Sequence, residues 1–274
     1  METSRKVIRI SRHAGVLVQA TRAVPEEVPI AFSYGGSTHA VMMGTPADLE
    51  DFAIGFSLTE GLIRDVSEIV DVEVLAADQG YDVQVMLGDN QADALRARRR
   101  HMAGPVGCGL CGIESIEQAL RPVPDVSTAP LKATFDDIVS AITLLSDGQS
   151  LNRETRAVHG AGFYLPGEGL LAVREDVGRH NGLDKLAGAV LRAGRRGRDG
   201  MIAVTSRVSV EMVQKTAILG SPILLAISAP TALAIETAEK AGVTLVALVR
   251  GEDFEIFTHA HRIVEMAAGA DIAS

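Results

Sequence analysis

The feature that most constrains the fold is an alternation of short apolar segments with helical patterns in the second half of the chain. Helices are predicted near 180–194, 209–219 and 231–241. Strands that alternate with helices form a sheet covered on both faces, so the pattern predicts a three-layer α/β domain with a largely parallel region. The strands are predicted at 162–165, 170–173, 202–205, 223–227 and 245–249.

The first part of the chain reads as a small α+β lobe. Two short strands, at 30–33 and 40–43, are joined by the turn-forming pair Gly35-Gly36. A helix is predicted to follow, with Thr45 as its cap and Pro46 in its first turn. Proline-containing sequence at 121–130 marks a linker. We therefore predict an N-terminal lobe over 1–125, joined by the returning segment 251–274, and an α/β domain over 126–250.

Charge and hydropathy narrow the class of partner. The formal net charge is −9 and the isoelectric point is near 5.3. Nucleic-acid binding depends on clustered Lys and Arg, so the balance disfavours a nucleic-acid partner and favours a protein or a small molecule. No signal-peptide pattern opens the chain and no apolar run has the length of a membrane span. We expect a cytoplasmic protein without a membrane partner.

Both cysteines of the chain lie in one glycine-flanked C-x-x-C motif, Cys108 and Cys111. In a reducing compartment such a pair is more typical of catalysis, redox chemistry or metal binding than of a structural disulfide. Three interpretations stay open: a zinc clip completed by other ligands, a thioredoxin-like redox pair, and a sulfur carrier that holds a persulfide. No metal site is expected, because a second C-x-x-C is missing.

A second dense group of functional side chains spans 174–185, between a predicted strand and a predicted helix. Ligand crevices of open α/β sheets lie at this position, and a helix N-terminus with Arg179 and Lys185 favours phosphate. Polar turns follow three further strands, at 206–209, 228–231 and 250–253. Together they predict a shared crevice. His159, ahead of an apolar strand, fits either this crevice or a hydrogen-bonded core position.

Four segments, in this order along the chain, resemble the FdhD family of formate dehydrogenase accessory sulfurtransferases. The resemblance covers most of the chain. One departure lies ahead of Val158-His159, where the family commonly shows Thr-Gly-Gly and this chain has Thr155-Arg156-Ala157. The segments are T-P-A-D-L-E-D-F-A-I-G-F-S-L-T-E-G at 45–61, C-G-L-C-G at 108–112, R-E-D-V-G-R-H-N-G-L-D-K at 174–185 and S-A-P-T-A-L-A at 228–234.

The resemblance implies an N-terminal lobe joined to a cytidine deaminase-like α/β domain, usually as a homodimer. It also implies a sulfurtransferase mechanism. A cysteine desulfurase loads Cys108 as a persulfide, Cys111 assists, and the sulfur passes to the molybdenum cofactor, in its bis(molybdopterin guanine dinucleotide) form, for formate dehydrogenase. The alternative is a non-catalytic chaperone that binds the cofactor, with a structural or zinc-binding C-x-x-C. Deamination is not expected, because the zinc-deaminase signature is absent.

The resemblance places the cofactor-contacting segment just after the last long strand, at 248–253. The cofactor contains two pyrophosphates, which backbone N–H groups and cations can bind, and two guanines, which a carboxylate can bind. A guanine nucleotide is expected to fit the same site. The predicted cofactor-binding residues are Leu248, Val249, Arg250, Gly251, Glu252, Asp253, Arg174, Arg179, His180, Lys185 and Arg207.

Overall fold

The computed structural model describes residues 2–88 and 123–265, and these residues form the mixed α/β structure that the sequence predicts. Their contacts divide into two compact units. Unit 1 comprises 2–88, 149–159 and 174–188. Unit 2 comprises 123–148, 160–173 and 189–265. No helix within the described residues is long and apolar enough to cross a membrane.

Unit 1 begins with a two-stranded antiparallel hairpin, β1 (Ser4–His13) and β2 (Val16–Pro25), which turns at Ala14-Gly15. A four-stranded sheet follows, in the order β4-β3-β6-β5. β3 pairs antiparallel with β4 and parallel with β6, and β5 pairs antiparallel with β6. These strands are β3 (Val28–Tyr34), β4 (Ser37–Gly44), β5 (Ile69–Ala77) and β6 (Gly80–Leu87).

Helix α1 (Leu49–Thr59) covers one face of this sheet. Phe32 of β3 lies edge-on to Phe52, with ring centroids 4.8 Å apart, and stacks on Phe56 at 4.7 Å. The helix begins later than the sequence suggests: Asp48, in a left-handed conformation with φ 55°, is the N-cap. Thr45 does not cap α1 because its backbone and hydroxyl bond to residues around Asp176 instead.

Unit 2 is built around a six-stranded sheet in the order β13-β12-β11-β10-β8-β9. β10, β11 and β12 are mutually parallel, whereas β8 and β13 run antiparallel to their neighbours β10 and β12. The strands are β8 (His159–Leu165), β9 (Gly169–Asp176), β10 (Met201–Val204), β11 (Ile223–Ala226), β12 (Thr244–Arg250) and β13 (Asp253–Ile256); the helices of this half of the chain are α2 (Phe135–Gly148), α3 (Ser150–Thr155), α4 (Arg179–Arg192), α5 (Val210–Leu219) and α6 (Ala232–Ala241).

The core of unit 2 forms where α2 packs on this sheet. Ile138 and Leu145 of α2 are fully buried, as are Met201, Leu225 and Val246 on the strands. The three central strands are buried at every position except Leu248 and Arg250. Continuous apolar runs of this kind are typical of parallel strands covered on both faces.

The division into units differs from the predicted domain boundaries. Residues 251–265 belong to unit 2: β13 pairs with β12, and β14 (Ile263–Val264) pairs with β7 (Ala133–Thr134). Arg262 fixes this arrangement, since its guanidinium donates to the carbonyls of Gly242 at 2.8 Å and Ser127 at 2.9 Å. Burial lowers the pKa of Arg262. Residues 149–159 and 174–188, which were predicted in the α/β domain, belong to unit 1 instead. Their contacts with unit 1 are long-range and cannot be predicted from the spacing of apolar residues.

Candidate functional site

Cys108 and Cys111 lie outside the described residues, so their chemistry stays a prediction from the sequence. The other candidate residues are described, and they fall into two groups. Arg174, Arg179, His180 and Lys185 belong to unit 1, while Arg207 and 248–253 belong to unit 2.

Asp176 is the hub of the unit 1 group. Its carboxylate is fully buried and accepts hydrogen bonds from the Lys185 ammonium at 2.6 Å and the Asn181 amide at 2.9 Å. Backbone N–H groups of Thr45, at 2.9 Å, and Gly178, at 2.8 Å, complete its shell. A buried charge is tolerated when it is paired and fully hydrogen-bonded, and Asp176 meets both conditions.

Lys185 is fully buried in α4. Besides Asp176, its ammonium donates to the carbonyl of Thr45 at 2.8 Å and lies 5.4 Å from the ring centre of Phe52. The ammonium therefore holds the loop between β4 and α1 against the start of α4.

The first turn of α1 is tied to β9 through Arg174. The Arg174 guanidinium donates to Asp51 from Nε at 2.8 Å and from Nη2 at 2.6 Å, and Asp48 lies 3.5 Å away. Both hydrogen bonds end on Oδ2 of Asp51, and because Asp51 is buried, they compensate a desolvated carboxylate.

Glycines let α1 and α4 touch through their backbones. A Cβ on Gly55 would lie 1.7 Å from the carbonyl oxygen of Asp184, and one on Gly188 would lie 1.9 Å from that of Asp51. Thr59 donates to the Asp184 carboxylate at 2.7 Å beside this crossing. The segments 45–61 and 174–185, which carry much of the sequence resemblance, thus bind each other within unit 1.

Glu175 has a capping role. Its two carboxylate oxygens accept hydrogen bonds from the backbone N–H groups of Leu151 and Asn152, each at 2.8 Å, at the start of α3. A carboxylate at a helix N-terminus satisfies unpaired N–H groups and complements the helix dipole.

Arg179 and His180 are half-buried in the first turn of α4. Within residues 2–88 and 123–265, Arg179 has no carboxylate partner. Its charge acts on His159: burial lowers the pKa of His159 below the ordinary 6.5, Arg179 lowers it further, and Asp176 partly offsets both. The neutral form of His159 is therefore favoured at pH about 7.

In unit 2, polar loops follow the parallel strands at one edge of the sheet. The loops after β10 and β11 are joined by hydrogen bonds between Val208 and Ala229 at 3.3 Å and between Thr231 and Val208 at 3.0 Å. The Thr231 hydroxyl accepts from the N–H of Ala234 and caps α6. Ser209 precedes α5 as its N-cap residue but makes no side-chain cap bond. These contacts support the predicted grouping of the two loops.

The segment at 248–253 contains an unusual backbone conformation. Leu248 has φ 57°, and the pairing of β12 with β13 shifts register between Ala247 and Arg250. A left-handed conformation is strained for a residue other than glycine, and such strain is common at functional sites. Gly251, with φ 61°, then permits the tight turn into β13.

The cations of this edge are available for an external anion. The side chains of Arg207 and Arg250 are exposed, and neither guanidinium makes a hydrogen bond or ion pair with any residue in 2–88 or 123–265. Glu252 and Asp253 in the adjoining turn are exposed as well. One guanidinium group can donate hydrogen bonds to two phosphate oxygens, and a carboxylate can accept hydrogen bonds from the N–H groups of a guanine base. The residues present therefore suit a guanine nucleotide.

The charged residues of unit 1 are evident in the sequence, but their partners are not. Thr45, Asp51, Gly55 and Thr59 bind or contact the 174–188 segment, whereas the sequence pattern predicts Thr45 as a helix cap and places the other three only in the motif at 45–61. Their spacing was the available signal, because Asp51, Gly55 and Thr59 recur every four residues and therefore share one face of α1.

A model of the FdhD/NarQ family matches residues 25–264. Over 260 residues the chain is 72% identical to a protein of Agrobacterium fabrum named sulfur carrier protein FdhD, covering 95% of this chain and 96% of that relative. A protein of the same name from Brucella abortus is 57% identical over 262 residues, covering 96% and 97%. A crystal structure described as that of a formate dehydrogenase accessory protein from Desulfotalea psychrophila matches with a TM-score of 0.75 at 27% identity, covering 96% and 100%.

Proposed function

Because this chain belongs to the FdhD/NarQ family, we propose that it is a sulfur carrier protein that supports formate dehydrogenase. The observation that carries the proposal is the 72% identity with a named sulfur carrier over 95% of the chain. The chain also contains the chemistry that a carrier needs, since its two thiols stand in one C-x-x-C motif.

Cys108 is the proposed sulfur-carrying nucleophile. Its thiolate attacks the terminal sulfur of a persulfide on a cysteine desulfurase, the S–S bond of the donor breaks, and the donor leaves as a thiolate. The transfer moves one sulfane sulfur and needs no oxidant. Attack by Cys111 on the Cys108 sulfur then releases hydrosulfide and leaves a disulfide, which a dithiol reductant returns to the starting state.

The proposed destination is the molybdenum cofactor, bound as a substrate with its guanine nucleotide portion at 248–253. Exposed Arg207 and Arg250 support this assignment because they lack internal partners among the described residues. Arg179 and His180 are proposed further contacts at the start of α4. Lys185 and Arg174 are not proposed to contact the cofactor directly, because they are already paired with Asp176 and Asp51. We propose that they position the first turn of α4.

The first test of this function is peptide mass spectrometry under non-reducing conditions. The protein is incubated with a cysteine desulfurase and cysteine. We expect Cys108 to gain the mass of one sulfur atom and to lose it on treatment with a thiol reductant. Cys108→Ser removes the modification, whereas Cys111→Ser, the matched control, retains it and blocks hydrosulfide release.

The non-catalytic alternative predicts a different pattern. If the protein only binds the cofactor and presents it to formate dehydrogenase, Cys108→Ser activates the enzyme as well as the parent chain does in a reconstituted assay. Loss of activation with unchanged binding of guanine nucleotide supports sulfur transfer. Retained activation, or tightly bound zinc at the C-x-x-C, contradicts it.

A further inference from the structure

Phe135, the first residue of α2, is the only exposed Phe or Tyr of this chain. The chain contains seven Phe, three Tyr and no Trp, and all of these aromatic residues lie within 2–88 and 123–265. The others are buried or half-buried, whereas Phe135 is 39% exposed. A single exposed apolar residue is ordinary, so its meaning depends on how the ring is held and on what lies beside it.

The backbone around Phe135 is fixed on both sides. Before it, the N–H of Thr134 donates to the Asp137 carboxylate at 2.8 Å, and the N–H of Asp137 donates to the Thr134 hydroxyl at 3.1 Å. After it, Ile138 is fully buried in the core of unit 2. A ring on a rigid helix start loses little conformational freedom when a ligand stacks on it, and this favours binding.

The ring of Phe135 packs against Phe254 of β13. The two ring centroids lie 5.5 Å apart and the ring planes are inclined by 68°, which is an edge-to-face contact. Such a contact covers at most one face of either ring, so Phe254 leaves one face of Phe135 uncovered. Phe254 is itself half-buried against the core of unit 2. The pair therefore consists of one anchored ring and one exposed ring.

This aromatic pair adjoins the segment at 248–253. Phe254 directly follows Asp253, and Asp253 pairs with Arg250 across the turn between β12 and β13. Arg250, Glu252 and Asp253 are all exposed. The same part of unit 2 thus offers a guanidinium, two carboxylates and an aromatic ring. A guanine nucleotide presents a group for each of them, namely phosphate oxygens, base N–H groups and a planar base.

We infer that Phe135 stacks on the guanine base of the nucleotide and is a binding residue of this site. The inference rests on the proposed nucleotide site at 248–253 and adds to it a residue more than 100 positions earlier in the chain. Phe135 contributes affinity for the base, while Arg250 contributes affinity for the phosphates. Stacking alone tolerates any base, because every base has a π-face. Selection of guanine therefore falls to the carboxylates of the turn.

The absence of Trp from the chain permits a direct test of stacking. Phe135→Trp places a single indole at this position, and a guanine that stacks on an indole quenches its fluorescence. We expect GDP to quench the emission of Phe135→Trp in a saturable titration. Leu144→Trp is the matched control, because Leu144 is 40% exposed on the same helix, about 14 Å further along its axis. Its emission should not show this saturable quenching.

Calorimetric titration separates binding of the base from binding of the phosphates. Phe135→Leu retains an apolar side chain beside Phe254 but has no π-face. It should bind GDP about tenfold more weakly than the parent chain and should bind inorganic pyrophosphate, which has no base, with unchanged affinity. Arg250→Ala should weaken binding of both ligands, and Leu144→Ala should affect neither. Circular dichroism verifies that each variant is folded.

The outcomes distinguish this inference from the proposed function on which it rests. A parent chain that does not bind GDP overturns both the nucleotide site and the role of Phe135. If Arg250→Ala weakens GDP binding while Phe135→Leu does not, and Phe135→Trp is not quenched, only the role of Phe135 is overturned. Equal losses of GDP and pyrophosphate affinity in Phe135→Leu also overturn it, because the ring would then support the turn rather than contact the base.

Discussion

The Asp176 cluster of unit 1 and the loops that follow the parallel strands of unit 2 contain similar side chains but use them differently. In unit 1, Lys185 and Arg174 are paired with buried carboxylates. In unit 2, Arg207 and Arg250 are exposed and have no such partner among the described residues. The difference indicates that a sequence motif rich in charged residues can form buried ion pairs that stabilise the fold as readily as it can form a binding site. Burial and pairing distinguish the two roles.

The largest effect should come from breaking the Asp176–Lys185 pair. Lys185→Met leaves a fully buried carboxylate without its counter-charge, which should lower the free energy of unfolding by about 3–5 kcal/mol. Urea denaturation measures the change. The double variant Asp176→Asn/Lys185→Met removes both charges and should recover part of the loss. A Lys185→Met protein of unchanged stability would show that the pair does not hold unit 1 together.

The contact between α1 and α4 offers a second way to disturb the closed cluster. Gly188→Ala places a methyl group against the backbone carbonyl of Asp51, and we expect a loss of about 2–3 kcal/mol because the helices must separate. Gly182→Ala in the same helix is the matched control, since the nearest atom is 3.8 Å from its Cβ. Alanine favours helix there, so Gly182→Ala should be neutral or slightly stabilising. Equal effects of the two substitutions would contradict the close crossing.

Much of this fold could be predicted from local pattern. Strands β8 to β12 of the six-stranded sheet lie within about three residues of their predicted positions because they are short apolar runs bounded by turns. The β1–β2 hairpin was missed because its apolar and basic residues are both exposed, so no buried face imposes a clear period. Helix α2 was also missed, although Ile138, Ala141, Ile142 and Leu145 have helical spacing.

The candidate site was less predictable than the fold. The sequence indicated which residues are charged, but not that the ammonium of Lys185 is fully buried against Asp176. That pairing depends on 174–188 packing beside 45–61, a contact over more than 100 residues of chain. Only tertiary structure separates such a cation from one like Arg207, whose side chain remains exposed.

The open loops of unit 2 should respond in binding rather than in stability. Arg207→Ala and Arg250→Ala remove exposed side chains without internal partners, so the free energy of unfolding should change by about 0.5 kcal/mol or less. Each should weaken binding of a guanine nucleotide about tenfold, the value of one charge-assisted contact. Calorimetric titration with GDP measures this, with Lys132→Ala as a surface control. Unchanged affinity for GDP in both variants would show that the nucleotide does not bind at the loops that contain Arg207 and Arg250.

A smaller, pH-dependent effect is expected at His159. Because the pKa of His159 is lowered in the folded protein, the unfolded chain takes up a proton first as the pH falls below about 6.5. The contribution of His159 to stability is therefore full above that pH and is lost as the pH falls towards the folded pKa. Urea transitions of the parent chain and of His159→Gln, compared at pH about 7.5 and about 5.5, isolate this residue from the other histidines. An unaltered pH dependence in the variant would contradict the assignment.

The smallest predicted effect is a gain at the departure from the family pattern. Arg156 occupies the position of a family glycine and, as the C-cap of α3, has φ 57°. Glycine adopts this left-handed conformation without steric cost, whereas Arg156 is exposed and gains no compensating burial. Arg156→Gly should therefore raise the free energy of unfolding by about 0.5–1 kcal/mol, measured by urea denaturation. Ala157→Gly, one residue beyond the cap, is the control and should be neutral or destabilising. A loss of stability in Arg156→Gly would mean that the arginine side chain contributes more to unit 1 than its strained backbone costs.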